Sequence, residues 1–96
     1  MVKKEEIMEV LKGIMHPEIN ASLMDLGMIK DVEIKENVIS IILNLPYEGV
    51  PIKYMLMDEI ENALKKYDIE IKIDTREMNP AERQKFMKMA QAYWKF

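Results

Sequence analysis

No cysteine occurs in the 96 residues. Disulfides, thiolate nucleophiles, cysteine-ligated zinc and cysteine-held iron-sulfur clusters are therefore excluded as groups built from this chain's own side chains. There is one histidine, His16, and no second imidazole to complete an ordinary metal or acid-base site. The motifs GxxxxGK[ST], GxGxxG and GxSxG are absent, which removes the usual nucleotide loops and the α/β-hydrolase elbow. A KH-type RNA module would need a GxxG loop between helices, and none is present. The formal net charge of -3 argues against nucleic acid as a partner, because phosphate binding needs clustered Lys and Arg. No apolar run approaches the roughly 18 to 20 residues that cross a bilayer. The opening MVKKEEIMEV is charged where a signal peptide has an apolar centre. The expectation is a cytoplasmic protein with no membrane association.

What the chain does contain is the balance of a folding domain: 49% hydrophobic and 32% charged residues. At this length one core suffices, so residues 1–96 are read as a single domain. Its ten methionines are flexible core filler, with some available to an adaptable interface.

Ile7, Val10, Leu11, Ile14 and Met15 recur at helical spacing and predict a first helix from about Lys3 to Ile14, stopped by Gly13 and by Pro17. Asp25-Leu26-Gly27 predicts a tight turn feeding a strand. In IKDVEI, Val32 and Ile34 share one face while Asp31 and Glu33 share the other, predicting a half-buried strand over 29–34. Glu36-Asn37 breaks the pattern before VISIILNL, predicting a hairpin in which Asn37 supplies the tolerance for left-handed geometry. The second strand is apolar on both faces for much of its length and belongs at a central position. Pro51 suits the first turn of a helix running to about Lys66, with Ile52, Leu56, Ile60, Ala63, Leu64 and Tyr67 on one stripe. IEIKI, 69–73, alternates strictly and is a third strand. Asn79, Pro80 and Glu82 form a helix-start signature, and Phe86, Met89, Ala90 and Tyr93 would be the buried face of a last helix.

The order is α-β-β-α-β-α and the fold class α+β. A helix joining strands two and three makes that pair parallel, whereas the hairpin is antiparallel. The sheet is therefore mixed, three-stranded and covered by the first two helices in a two-layer α/β sandwich. The positive charges Arg83, Lys85, Lys88 and Lys95 read as a solvated helix face. Tyr93, Trp94 and Phe96 do not fit one narrow stripe, so the tail either folds back on its own chain or meets a subunit.

His16, Pro17 and Glu18 read first as a turn, with one imidazole and one carboxylate as the only candidate ligands. Asp25 is favoured as a turn residue over a general base. Ser22 and Ser40 have no adjacent base in sequence.

HPEI, DLGMIKDVEI and PYEGVP leading into a helix, taken in this order, resemble the iron-sulfur assembly family that includes PaaD and SufT and the N-terminal domain of some Mrp/ApbC-type ATPases. The resemblance covers about residues 4–75, leaving a C-terminal helix at about 80–95. It implies a small α/β fold and a non-enzymatic accessory or adaptor role in iron-sulfur protein maturation. Pro17 and Glu18 match a DPE-like turn, with His16 in place of its aspartate; Asp25, Leu26 and Gly27 match a DLG turn. Gly49 and Pro51 match the flanks of a loop cysteine of the form T-x-x-G-C-P. Val50 stands at that cysteine, and Pro46 stands where threonine is typical. Valine can neither hold iron nor relay sulfur, so the resemblance implies a loop, 46–51 with Tyr47, that contacts partners. Those would be iron-sulfur carriers or target apoproteins, and a homodimer is a further expectation. No cofactor is expected on this chain alone; a cluster would come only through a partner or through unusual ligands such as His16, Glu18 or Asp25 shared by two copies. An interaction module of an unrelated pathway is the third alternative.

Overall fold

Alternating apolar residues in the middle of the chain make a strand that is buried on one face along its whole length, and everything else packs around it. The computed structural model describes residues 3–96; Met1 and Val2, the start of the charged N-terminal segment, lie outside the described residues. The elements are α1 (Lys4–Lys12), β1 (Ile29–Lys35), β2 (Val38–Leu45), α2 (Lys53–Leu64) with a short 3-10 turn at Lys65–Tyr67, β3 (Glu70–Glu77) and α3 (Pro80–Tyr93). The sheet order is β1-β2-β3, antiparallel between β1 and β2 and parallel between β2 and β3. This is the expected α+β arrangement with a mixed sheet and β2 at its centre.

Ile39, Ile41 and Leu43 of β2 are essentially inaccessible, and they share one core with Ile7 and Leu11 of α1 and with Leu56, Ile60 and Leu64 of α2. The i, i+4, i+8 spacing of the α2 residues places them on one stripe. Each such side chain contributes about 1.5 to 3 kcal/mol by leaving water. In register, Ile39 faces Ile34 and Ile71, and Ile41 faces Ile73, so the helix-covered face is aliphatic across all three strands.

β1 reaches that face by a bulge. Lys30 pairs with Ile42 and Glu33 with Ser40, so Asp31 and Val32 together oppose Ile41. Asp31 absorbs the extra residue at φ 51°, a left-handed conformation that Asp tolerates better than most residues. The consequence is that Ile29 and Val32, three apart, are both buried, which strict alternation would have forbidden.

Several boundaries move for identifiable reasons. α1 stops at Lys12, and Gly13 and Ile14 close it with tighter bonds to Val10 and Leu11 carbonyls, at 3.1 and 3.2 Å. Met15 is therefore beyond the helix and exposed instead of on its buried stripe. Pro51 and Ile52 form a turn before α2 begins at Lys53. β3 continues to Glu77 because it pairs with β2 from Val38 to Leu45. In the hairpin loop the left-handed residue is Glu36, at φ 57°, and not Asn37.

Candidate functional site

The proline at position 17 prevents α1 from continuing through His16, and the chain folds back on itself there. The His16 N–H donates to the Ala21 carbonyl at 3.0 Å, and the Leu23 N–H donates to the Ile14 carbonyl at 2.9 Å. The Glu18 N–H donates to His16 Nδ1 at 3.0 Å, which places the ring proton on Nε2. The His16 side chain is buried, and burial lowers its pKa below 6.5; the Glu18 carboxylate opposes that shift and the Lys95 ammonium adds to it. A neutral imidazole with Nε2–H left for other partners is the result.

The Asp25-Leu26-Gly27 turn is built from backbone. The Asp25 N–H donates to Ser22 Oγ at 3.0 Å, while the Asp25 side chain stays exposed. Leu26 is buried. Gly27 takes φ 79°, where a side chain is disfavoured, and its carbonyl accepts from Asn44 Nδ2 at 3.2 Å. The Asn44 N–H donates to the Met28 carbonyl at 2.8 Å. This turn sets the position of Met28 and brings no carboxylate into a site.

At the same end of β2, Pro46 and Tyr47 leave the sheet, Gly49 turns the chain at φ 79°, and Val50 and Pro51 lead into α2. Tyr47 is exposed, whereas Val50 is 9% exposed and belongs to the core. The position that resembles a reactive cysteine thus carries an inward-facing aliphatic group.

His16, Glu18, Pro46, Tyr47, Val50 and Pro51 converge on one cleft of about 380 Å³. Its floor includes Ile19 and Met28, and one wall is the side of α3 formed by Phe86, Met87, Ala90 and Trp94. Pro17, Asp25, Leu26, Gly27 and Gly49 do not line it. They shape the turns that deliver those that do. A larger, more polar hollow of about 580 Å³ near Glu61, Lys65 and Asp68 contains none of these residues. It is also the more open of the two, so the motif-bearing cleft is the candidate site.

α3 was the part least visible in the motifs. Its start is the expected capping box: Asn79 Oδ1 accepts from the Glu82 N–H at 2.8 Å, and Glu82 Oε1 accepts from the Asn79 N–H at 2.9 Å. The same Glu82 carboxylate accepts a hydrogen bond from Lys30 Nζ on β1, and its pKa falls to about 2, first through Lys30, then through the Asn79 N–H, with a smaller contribution from Asn44. Arg76 of β3 reaches it at 3.7 Å, and Arg76 Nε donates to Asn44 Oδ1 at 3.2 Å. Arg83 is not part of a solvated face. Its Nε donates to the Pro46 carbonyl at 2.6 Å, and its Nη2 donates to the Met78 carbonyl at 3.1 Å.

The tail folds back on its own chain. The Asn20 N–H donates to the Tyr93 carbonyl at 2.7 Å, the Lys95 N–H to the Glu18 carbonyl at 3.1 Å, and Lys95 Nζ to the His16 carbonyl at 3.3 Å. Backbone docking leaves the aromatic side chains outside: Tyr93 and Trp94 are each 49% exposed and Phe96 is 84% exposed. Tyr93 is thus not part of the buried face expected of this helix, which is Phe86 with Met89 and Ala90 partly covered. Asn44, a lone amide in an aliphatic run, was the sequence signal for the polar junction under α3.

As a donor set the cleft offers the His16 imidazole and the Glu18 carboxylate. Among the described residues, no three His, Cys, Asp or Glu side chains converge in a way that could hold a metal ion. These residues do not fit a cluster held by one chain, and no chemical step is derived through one.

The family model that matches this chain is that of the iron-sulfur cluster assembly proteins, over residues 4–74. An iron-sulfur cluster carrier protein of Synechocystis sp. is 31% identical over 65 residues, 68% of this chain and 18% of that protein. The Fe-S protein maturation auxiliary factor YitW of Bacillus subtilis is 32% identical over 62 residues, 64% of this chain and 61% of that protein. The match thus spans less than two thirds of either relative. A crystal structure of a domain of unknown function, DUF59, from Bacillus anthracis superposes with a TM-score of 0.72 at 18% identity, covering 93% of this chain and 91% of that one. That likeness concerns the fold.

Proposed function

The chain belongs to the iron-sulfur cluster assembly protein family, and from that premise we propose that it is a non-enzymatic accessory protein in the maturation of iron-sulfur proteins. Its partners would be cluster carriers or target apoproteins, docked at the cleft between the 46–51 loop and α3. The observation that carries this reading is the pairing of convergence with chemistry. Family-like turns at one end of the sheet deliver six residues to one cleft, yet the position between Gly49 and Pro51 is a buried valine. An aliphatic wall with exposed Tyr47 and Met87 at its rim suits protein contact, in which amphipathic aromatic and flexible thioether groups are favoured. No helix among the described residues is long and apolar enough to cross a membrane.

Affinity purification of the chain and of a Tyr47→Asp/Met87→Asp rim variant tests this. The parent should bring down cluster carriers or iron-sulfur apoproteins, and the variant should lose them. A parent preparation without such proteins, or the same partners on the variant, would overturn the reading.

The Synechocystis relative's description as a carrier and the two donors in the cleft favour one second reading, in which two copies pool His16 and Glu18 to carry a cluster. Anaerobic reconstitution with iron and sulfide, followed by iron analysis and mass in solution, separates the two. Stoichiometric iron on a dimer would select the carrier reading. Its failure to be retained would remove that reading.

A further inference from the structure

We propose that α3 is a detachable strap, which forms one wall of the cleft in the resting protein, is latched by polar contacts at its two ends, and lifts away while the sheet stays folded. This concerns access to the cleft described above. Its consequence for partners rests on the docking reading, whereas the detachment itself does not.

The case begins with how little apolar surface holds the helix. α2 sinks Leu56, Ile60 and Leu64 completely into the core, but α3, with 14 residues, buries Phe86 alone. Met87, Tyr93 and Trp94 are about half exposed along it. A helix with few buried apolar contacts lies at the low-stability end of a structure and can open as a unit.

The ends are held differently. At the N-terminal end Glu82 meets Lys30 of β1 and Arg76 of β3, and Arg83 reaches the carbonyls of Pro46 and Met78. At the C-terminal end the backbone bonds from Asn20 and Lys95 tie residues 93–95 to the 18–20 segment. Between these anchors Phe86, Met87, Ala90 and Trp94 form the wall of the cleft. These contacts are part-buried, and water replaces their partners once the helix lifts, so both latches are reversible. The Asn79–Glu82 capping box lies within the segment itself, and it keeps the first turn of α3 formed when the helix lifts. The family match ends at residue 74, before α3 begins. Lifting the strap would widen access to Val50 and uncover the seat of Phe86, so that an apolar segment of a partner competes with α3 for that seat.

Because the chain contains no cysteine, Val50→Cys places a single thiol on a cleft wall position that is 9% exposed. Its labelling rate by a disulfide reagent under native conditions then reports opening. Adding Glu82→Gln removes the latch charge but keeps the capping box, because Gln serves there as well as Glu. Labelling should accelerate about five-fold, the size expected from loss of one ion pair, and Lys30→Met should do the same. Amides of Ile39, Ile41 and Leu43 should stay far better protected than the thiol in the parent and in both variants, because they open only with the whole fold. If neither substitution alters labelling, or if the thiol is protected as strongly as the β2 amides, the strap does not exist. Should Val50→Cys fail to fold, amide exchange in the unsubstituted chain and in Glu82→Gln carries the same test: α3 amides must exchange faster than those of β2, and faster still in the variant.

Discussion

Arg83, in the first turn of α3, donates its Nε hydrogen to the carbonyl oxygen of Pro46 at 2.6 Å, so the last helix holds the strand-to-helix loop that forms one lip of the cleft. The same guanidinium donates to the Met78 carbonyl at 3.1 Å and lies 3.8 Å from the Glu77 carboxylate. One side chain thereby fixes the loop, the end of β3 and the start of α3 relative to one another.

Arg83→Ala should lower stability by about 1 to 2 kcal/mol, the range for hydrogen bonds to a charged group discounted for partial exposure. Urea unfolding at neutral pH reads this as a lower midpoint at unchanged slope. Arg83→Lys should recover less than half of the loss, because an ammonium lacks the planar fork that serves two carbonyls at once. Full recovery by Lys would show that charge alone matters.

Glu82 makes the protein sensitive to acid. Its folded-state pKa is held near 2, against an ordinary value of 4.5, chiefly by the Lys30 ammonium and then by the Asn79 N–H. Between those values the unfolded chain binds the proton and the folded chain does not. Its stabilisation is therefore complete above the ordinary value and is lost as pH falls toward 2. Urea midpoints measured at about pH 7, 4 and 3 should decline less steeply in Glu82→Gln than in the parent. Parallel profiles would show that Glu82 is not linked to folding.

His16 acts in a higher window. Its pKa is lowered by burial, with Glu18 opposing and Lys95 adding to the shift. The unfolded chain takes up the proton first as pH falls through 6.5, so stability declines from there down to the folded-state value. His16→Asn retains an acceptor for the Glu18 N–H but does not titrate. Thermal midpoints between about pH 5 and 7 should be flatter in that variant than in the parent. An unchanged slope would assign the dependence to other groups.

Gly27 and Gly49 both adopt φ 79°, and a Cβ built on either meets nothing within 4 Å. Alanine at either position should cost about 1 to 2 kcal/mol through backbone conformation alone. Asparagine, which visits the left-handed region more readily, should cost less than alanine at both sites. A reversed order at Gly49 would mean that the loop is free to take another conformation there. Chemical denaturation of the four variants provides the comparison.

Much of this fold is local and periodic, and it was legible for that reason. β2 spans Val38–Leu45 as its composition required, and the stripe Leu56, Ile60 and Leu64 of α2 is buried as its spacing required. The capping box at Asn79 and Glu82 was readable because its partners are three residues apart. The bulge at Asp31 was not, because it exists only relative to the register with Ile41. Nor was the engagement of Arg83, which on a helical wheel looks like any solvated cation until the Pro46 carbonyl, 37 residues away, is brought to it.

The sequence by itself determined the element order, the family, and the loss of any thiol at the loop, since each depends on residue identity and short spacing. It also pointed to Gly27 as a turn residue, whereas the left-handed conformation of Gly49 is seen only in the structure. Only the tertiary structure decided that His16 and Glu18 share a cleft with Val50 while Asp25 faces solvent, and that α3 forms one of its walls. The reason is physical. A side chain's exposure and its electrostatic neighbours follow from which distant segments the sheet register and the helix crossings bring together, and neither is a property of the residues nearby in the chain.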